Sequence, residues 1–121
     1  KLNQSLTTLS QGEAQRLKLA RELLQTKGKH NLYLLDEPTV GLHMQDVENF
    51  IKLLQELVEE GHSILVIEHN EQLLAACDYL IELGPQGGVH GGQLIAQGSP
   101  LALLHQNESV IAPYLKRFIK D

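Results

Sequence analysis

Apolar positions along the chain alternate between helix-like and strand-like spacing, which predicts an α/β layer architecture. Residues 12–25 place apolar side chains three and four positions apart, and residues 46–60 do the same before Gly61. By contrast, residues 32–35 and 63–68 are short, continuous apolar runs, typical of strands that are covered on both faces of a parallel sheet. Strand, helix and strand in this order form a βαβ crossover, which we expect to be right-handed.

The second half of the chain predicts shorter elements around a glycine-rich turn at 84–92. In chain order these are a helix at 71–77, strands at 79–83 and 93–98, and terminal helices at 101–106 and 112–120. We expect the two strands to return on each other like a hairpin. Pro113 is compatible with the last helix because it lies at the start, where its missing N–H costs little.

Composition narrows the class of protein mainly by exclusion. The 121 residues, 42% of them hydrophobic, allow at most one domain with a real core. No apolar run is long enough to cross a membrane and no charged-then-apolar leader opens the chain, so we expect a soluble, cytoplasmic protein. Cys77 is the only cysteine, which excludes an internal disulfide or a cysteine-rich zinc module within these residues. The net charge of −5, with scattered Lys and Arg, does not indicate nucleic-acid binding by this segment alone.

The first candidate site is TLSQGEAQR at residues 8–16. Ser10 and Glu13 have the spacing of a capping box, in which each side chain satisfies a backbone N–H of the other residue. Gly12 adds a second interpretation, since a helix start without a side chain leaves N–H groups open to a phosphate. Both interpretations stay open on these residues alone.

The second candidate site is the point where the apolar strand at 32–35 runs into Asp36 and Glu37. In open parallel sheets ligands bind beyond the carboxyl ends of the strands. There Asp36 would hold Mg²⁺ through a water, and Glu37 would orient and deprotonate an attacking water. The alternative is that Asp36 caps the following turn and that Glu37 is a solvated surface residue.

The third candidate is His69, which follows the second buried strand and should reach the same edge of the sheet. An imidazole at that edge could donate a hydrogen bond to a γ-phosphate as charge develops. The alternative is a structural histidine whose ring nitrogens are satisfied within the protein.

The succession of these motifs resembles that of ABC-type ATPases. LSQGE at 9–13 is similar to their LSGGQ signature, LYLLDEP to the Walker B strand, TVGLH to the D-loop, and His69 to the switch histidine. The segments LSQGEAQRLKLA, LLDEPTVGLH, VIEHN and ELGPQGGVHGGQLIAQGSP look more specifically like the second, C-terminal nucleotide-binding domain of the UvrA family. That family comprises the damage-recognition ATPases of bacterial nucleotide excision repair. The likeness runs from about Thr7 to the end of the chain.

The resemblance implies a partial P-loop NTPase domain of the ABC type. Such a domain has a mostly parallel sheet flanked by helices, and here it would lack the phosphate-loop half, which would lie upstream of Lys1 in a longer parent. The resemblance divides the chain into three parts. These are the signature motif and helix at 1–26, the Walker B, D-loop, switch-histidine and terminal strands at 31–98, and C-terminal helices at 99–121. The isolated segment would then be inactive.

Two nucleotide-binding domains sandwich ATP in this superfamily, so the resemblance implies that the chain serves two sites. Asp36 would bind Mg²⁺, and Glu37 and His69 would act in catalysis, on the ATP held by this domain. The remaining residues face the partner domain's ATP or couple the two sites: Ser10, Gln11, Gly12 and Glu13 in the signature, and Thr39, Gly41, Leu42 and His43 in the D-loop.

Gln11 departs from the family pattern, which usually has Gly at this position. Because Gly is used where the backbone approaches a ligand closely, Gln11 would narrow or retune the phosphate approach. Glu13 stands where the superfamily has Gln, as is usual for UvrA-like chains. A carboxylate beside a triphosphate is unfavourable, so we expect Glu13 to turn back into the capping box.

The implied cofactors are ATP and Mg²⁺, with zinc only in parent regions outside this chain. The implied partners are the other nucleotide-binding domain of the parent, a second UvrA-like subunit in a homodimer, UvrB, and DNA contacted mainly by other regions. Two alternatives remain: a non-repair ABC ATPase, such as a transporter motor or an antibiotic self-protection protein, and an interaction module that binds no nucleotide. Paired cysteine zinc modules upstream would favour the UvrA-type parent over a transporter motor.

Overall fold

The computed structural model describes residues 11–25, 28–84 and 92–119. The chain divides into two compact units, Lys1–His69 and Asn70–Asp121. In chain order the elements are α1 (Gln11–Gln25), β1 (Leu32–Asp36), α2 (Met44–Glu59), β2 (Ser63–Ile67), α3 (Glu71–Ala76), β3 (Leu80–Leu83), β4 (Leu94–Gly98), α4 (Pro100–Leu103), α5 (Ala112–Leu115) and a 3₁₀ turn (Lys116–Phe118). Within the described ranges, no helix is long and apolar enough to span a bilayer.

The first unit is built on a parallel strand pair joined by a helix. β1 and β2 run in the same direction, with Leu32 opposite Ser63 and Asp36 opposite Ile67. α2 lies between them in sequence, so the predicted βαβ order is confirmed, and its handedness stays a prediction. The buried stripe of α2 has helical spacing and consists of Val47, Phe50, Ile51, Leu54 and Leu57.

Within the part of the chain that the structure describes, helices cover only one face of this strand pair, contrary to the expectation from the apolar runs. α1 packs against α2, and α2 packs against β2. On β1, Leu35 is 5% exposed. The opposite face is more than half exposed at Leu32, Leu34, Leu65 and Ile67. Successive side chains of a strand point to opposite faces, so helix cover on one side leaves the other side apolar and open.

The second unit contains an antiparallel strand pair. Leu80 of β3 lies opposite Gly98 of β4, with an irregular register after Glu82, so the predicted return is confirmed. Residues 85–91, most of the predicted glycine-rich turn, lie outside the described residues. The core of this unit consists of Leu74, Leu80, Ala96, Leu103, Ala112 and Leu115. The fold is therefore mixed α/β, but the described strands form one parallel and one antiparallel pair rather than a single mostly parallel sheet.

The two terminal helices are shorter than predicted. Ser99 caps α4 by accepting from the N–H of Ala102 at 3.1 Å. Beyond Leu103 the backbone continues to Gln106 in hydrogen bonds between residues three apart, a tighter winding than an α-helix. The predicted helix at 112–120 likewise becomes one α-turn followed by a 3₁₀ turn.

Exposed and buried leucines of the first unit should respond differently to truncation. Leu57 is fully buried and Leu34 is 66% exposed. We expect Leu57→Ala to lower the free energy of unfolding by about 2–5 kcal/mol, because it removes buried methyl groups and leaves a cavity. The matched change Leu34→Ala should cost less than about 1 kcal/mol. Urea denaturation of both variants measures the difference, and equal losses would contradict one-sided cover of the sheet.

Candidate functional site

The candidate site lies at the carboxyl edge of the β1–β2 pair. Asp36 is the last residue of β1 and pairs with Ile67 at the end of β2. The N–H of Glu37 donates to the carbonyl of Ile67 at 2.7 Å, which extends the pairing by one residue. The residues that follow each strand, Glu37 on one side and Glu68 and His69 on the other, therefore leave the sheet side by side.

Glu37 and His69 contact each other at this edge. His69 Nδ1 lies 3.0 Å from Glu37 Oε1, and the two side chains are 78% and 46% exposed respectively. An exposed pair of this kind adds little to stability, at most about 1 kcal/mol. The pair is a carboxylate and an imidazole within hydrogen-bonding distance at an open edge, which is an arrangement suited to proton transfer.

The backbone of Glu37 is in the left-handed region, with φ of +47°. It is the one non-glycine residue with positive φ in the described part of the chain. Such a conformation costs an L-residue about 1–2 kcal/mol, and it persists where the surroundings fix it. Sequence reasoning missed this feature, because glutamate carries no preference for positive φ.

Asp36 has an exposed side chain and a fixed backbone. The amide of Gln15, on α1, donates to the Asp36 carbonyl at 3.3 Å and accepts from its N–H at 3.2 Å. The structure does not support Asp36 as a cap for the next turn, because backbone N–H groups of that turn donate to other acceptors. The N–H of Thr39 donates to Glu68, and the N–H of Val40 donates to the carbonyl of Glu37.

Thr39 is buried, and both of its donors bond to one oxygen of Glu68. Its N–H lies 3.2 Å and its Oγ1 2.7 Å from Glu68 Oε2. Sequence reasoning assigned Thr39 to the turn but missed Glu68. The available signal was a carboxylate placed between a buried strand and His69.

The turn ends at the start of α2. Gly41 has a φ of +82°, and the N–H of Leu42 donates to the carbonyl of Thr39 at 3.0 Å. His43 is the N-cap of α2 and accepts through its backbone carbonyl from the N–H of Val47 at 2.9 Å, with no hydrogen bond from its side chain to the helix end. The imidazole of His43 is exposed.

The signature residues are described only in part. Ser10 lies outside the described residues, so the predicted capping box is not tested. Gln11 and Gly12 form the first residues of α1, and Glu13 is exposed in its first turn.

The acidic residues fit a magnesium ion that is held mainly by water and phosphate oxygens. Among the described residues, no three His, Cys, Asp or Glu side chains converge in a way that could hold a metal ion. Mg²⁺ commonly binds proteins through one or two carboxylates and keeps several waters. Asp36, exposed at the sheet edge beside Glu37, matches that donor set.

Comparison with known proteins gives the class of this sequence. No protein-family model matches the chain. It is 49% identical over 120 residues to UvrABC system protein A of Aquifex aeolicus, covering 99% of this chain and 13% of that protein. It is 51% identical over 119 residues to the same protein of Mycoplasmopsis pulmonis, covering 98% of this chain and 13% of the relative. The crystal structure of UvrA2 from Deinococcus radiodurans matches with a TM-score of 0.83 and 45% identity, over 94% of this chain and 14% of that one.

The geometry described above makes the chain a mixed α/β segment with two carboxylates and a histidine at the edge of a parallel strand pair. Over nearly its whole length the sequence is similar to a part of UvrABC system protein A, which confirms the resemblance to the UvrA family. The chain spans about 13% of the length of the curated relatives it matches.

The positive φ of Glu37 leads to a prediction about stability. Because Glu37 has a positive φ, Glu37→Gly should be more stable than Glu37→Ala by about 1 kcal/mol, since Ala keeps the steric penalty of a Cβ atom. At Glu48, exposed on α2, the order should reverse, with Ala more stable than Gly by about 1 kcal/mol. Chemical denaturation of the four variants measures both differences. The same order at both positions would contradict the left-handed conformation of Glu37.

Proposed function

We propose that this chain is part of a UvrA-like ABC ATPase that binds and hydrolyses ATP to drive DNA damage recognition in bacterial nucleotide excision repair. The identity to UvrABC system protein A over nearly the whole chain supports this function over a transporter motor. The single observation that carries the chemistry is the contact between Glu37 and His69 at the carboxyl edge of the parallel strands. We propose a cytoplasmic, P-loop NTPase parent that supplies the phosphate loop.

Glu37 acts in this proposal as the general base. Its carboxylate accepts a hydrogen bond from the attacking water and then takes the proton, a role worth about 10²–10⁴-fold in rate. His69 contacts Glu37 through Nδ1. That contact orients the ring, and in the imidazolium form, in which both ring nitrogens carry a proton, Nε2 would donate to phosphate oxygens as their charge grows.

Asp36 is the proposed ligand of Mg²⁺, which when bound supplies positive charge that offsets the charge of the phosphates. The Gln15 amide holds the Asp36 backbone in place while its side chain stays exposed. The zinc implied by the family would lie outside these residues.

The signature and turn residues serve the second site of the parent in this proposal. Ser10, Gln11, Gly12 and Glu13 would face ATP on the partner nucleotide-binding domain. Thr39, Gly41, Leu42 and His43 would connect the two sites. We also propose the division of the chain at 1–26, 31–98 and 99–121 that the resemblance implies. The proposed partners are a second UvrA-like subunit, UvrB and DNA.

Replacing the proposed base tests the function directly. In the longer protein that contains this chain, Glu37→Gln should lower kcat for ATP hydrolysis by about 10²–10⁴-fold, because an amide cannot accept the proton. ATP binding should change by less than about threefold, since the variant keeps the size and shape of the side chain. Glu48→Gln, the same chemical change on the exposed side of α2, is the control and should keep the rate. Normal turnover in Glu37→Gln would end the assignment.

The isolated chain should bind nucleotide weakly. Its sequence contains no G-x-x-x-x-G-K-[ST] motif, whose backbone N–H groups and lysine provide most contacts to the phosphates. We expect titration calorimetry of the 121-residue chain with Mg-ATP to give little or no heat of binding. A dissociation constant in the low micromolar range, about −7 to −8 kcal/mol, would contradict this division of the site.

A further inference from the structure

One peptide bond beside the candidate site is held at both of its polar atoms. The carbonyl of Pro38 accepts from Arg16 Nη1, which comes from α1. The N–H of the same peptide, on Thr39, donates to Glu68 Oε2 at 3.2 Å. A single peptide plane therefore lies between a guanidinium and a carboxylate; we call Arg16, the Pro38–Thr39 peptide and Glu68 the peptide clamp.

The clamp is built from buried backbone and charged side chains. Pro38 is among the fully buried side chains, and Thr39 is 6% exposed. The hydroxyl of Thr39 adds a third hydrogen bond, to Glu68 Oε2 at 2.7 Å. Hydrogen bonds to ionised groups are roughly twice as strong as those between neutral groups. The clamp is thus better fixed than the exposed contact between Glu37 and His69.

The clamp adjoins both members of that contact. Glu37 immediately precedes the clamped peptide, and its positive φ needs surroundings that fix it. The second oxygen of Glu68, Oε1, accepts from the N–H of His69 at 3.0 Å. One carboxylate therefore bonds to the backbone beside Glu37 and to the backbone of His69.

We propose that Glu68 is a positioning residue for ATP hydrolysis, acting with Arg16 through the Pro38–Thr39 peptide. It sets the backbone of the segments that carry Glu37 and His69, and touches neither the water nor the nucleotide. The clamp also joins α1, which carries the signature residues Gln11, Gly12 and Glu13, to the segment of His69. This inference rests on the proposed function, and its two tests below separate the failure of one from the failure of the other.

Hydrogen exchange on this chain tests the clamp without any reference to ATP. The N–H of Thr39 should be protected, and Glu68→Met should lower its protection at least tenfold while the amide of Leu35 in β1 keeps its own. If Glu68→Met does not fold, Thr39→Val removes only the hydroxyl bond and should lower protection of the same amide. Unchanged protection of the amide at position 39, in whichever variant folds, would contradict the hydrogen bonds of the clamp.

Steady-state kinetics of the longer protein test the positioning role. Glu68→Gln keeps one carbonyl oxygen and cannot bond both Thr39 and His69, so kcat should fall about tenfold with KM for ATP unchanged within about twofold. Thr39→Val should lower kcat by a similar factor. The double variant should have about the same kcat as either single variant, because both substitutions disrupt the same interaction between Thr39 and Glu68. Thr39→Ser keeps the hydroxyl and should therefore retain most of the kcat that Thr39→Val loses. Glu48→Gln should leave kcat unchanged.

The outcomes separate the two proposals. Additive losses in the double variant, an unchanged kcat in Glu68→Gln, or a rise in KM alone would each overturn the positioning role. Glu37→Gln is measured in the same series. If Glu37→Gln hydrolyses ATP normally, the proposed function fails, and the positioning role for hydrolysis fails with it, while hydrogen exchange still decides whether the clamp exists. If Glu37→Gln is inactive and the Thr39 and Glu68 variants are independent, only this inference fails.

Discussion

The parallel register between β1 and β2 is the constraint on which the candidate site depends. Asp36 lies opposite Ile67, and the Glu37 N–H continues the pairing to the carbonyl of Ile67. Glu37 and His69 thereby start from neighbouring backbone positions. Side chains alternate between the faces of a strand, so a slip of one residue would send each side chain of the slipped strand to the other face. The register thus determines which chemical groups share the edge.

Three acidic residues, Asp36, Glu37 and Glu68, lie at or just after the ends of β1 and β2, and the structure gives each a different environment. Glu68 is bonded to Thr39 and to the N–H of His69, so its charge is matched by three hydrogen-bond donors. Glu37 is half exposed and contacts His69, whereas the side chain of Asp36 is exposed. Hydrogen-bond donors and solvent each stabilise a charged carboxylate. The donors around Glu68 allow a structural carboxylate to sit beside two that remain accessible.

Local patterns predicted the elements well because their periodicity reflects nearby residues only. The stripe of α2 and the apolar runs of β1 and β2 located these elements within two residues of their observed ends. Cover of the sheet was predicted wrongly, since burial of Leu34 or Ile67 depends on what packs there and not on the run itself. Arg16 and Glu68 were missed for a similar reason. Each reaches a peptide more than twenty residues away, and such contacts have no local signature.

The distribution of burial indicates where the geometry of the site is maintained. The contact between Glu37 and His69 is open to water and contributes little free energy, so it cannot hold its own backbone in a strained conformation. The adjacent turn can, because Pro38 and Thr39 are buried and their peptide bonds to charged side chains on both sides. Exposure of the reacting groups and burial of their support are compatible requirements. Water and nucleotide need access to the carboxylate of Glu37, whereas its orientation needs a backbone that does not move when they bind.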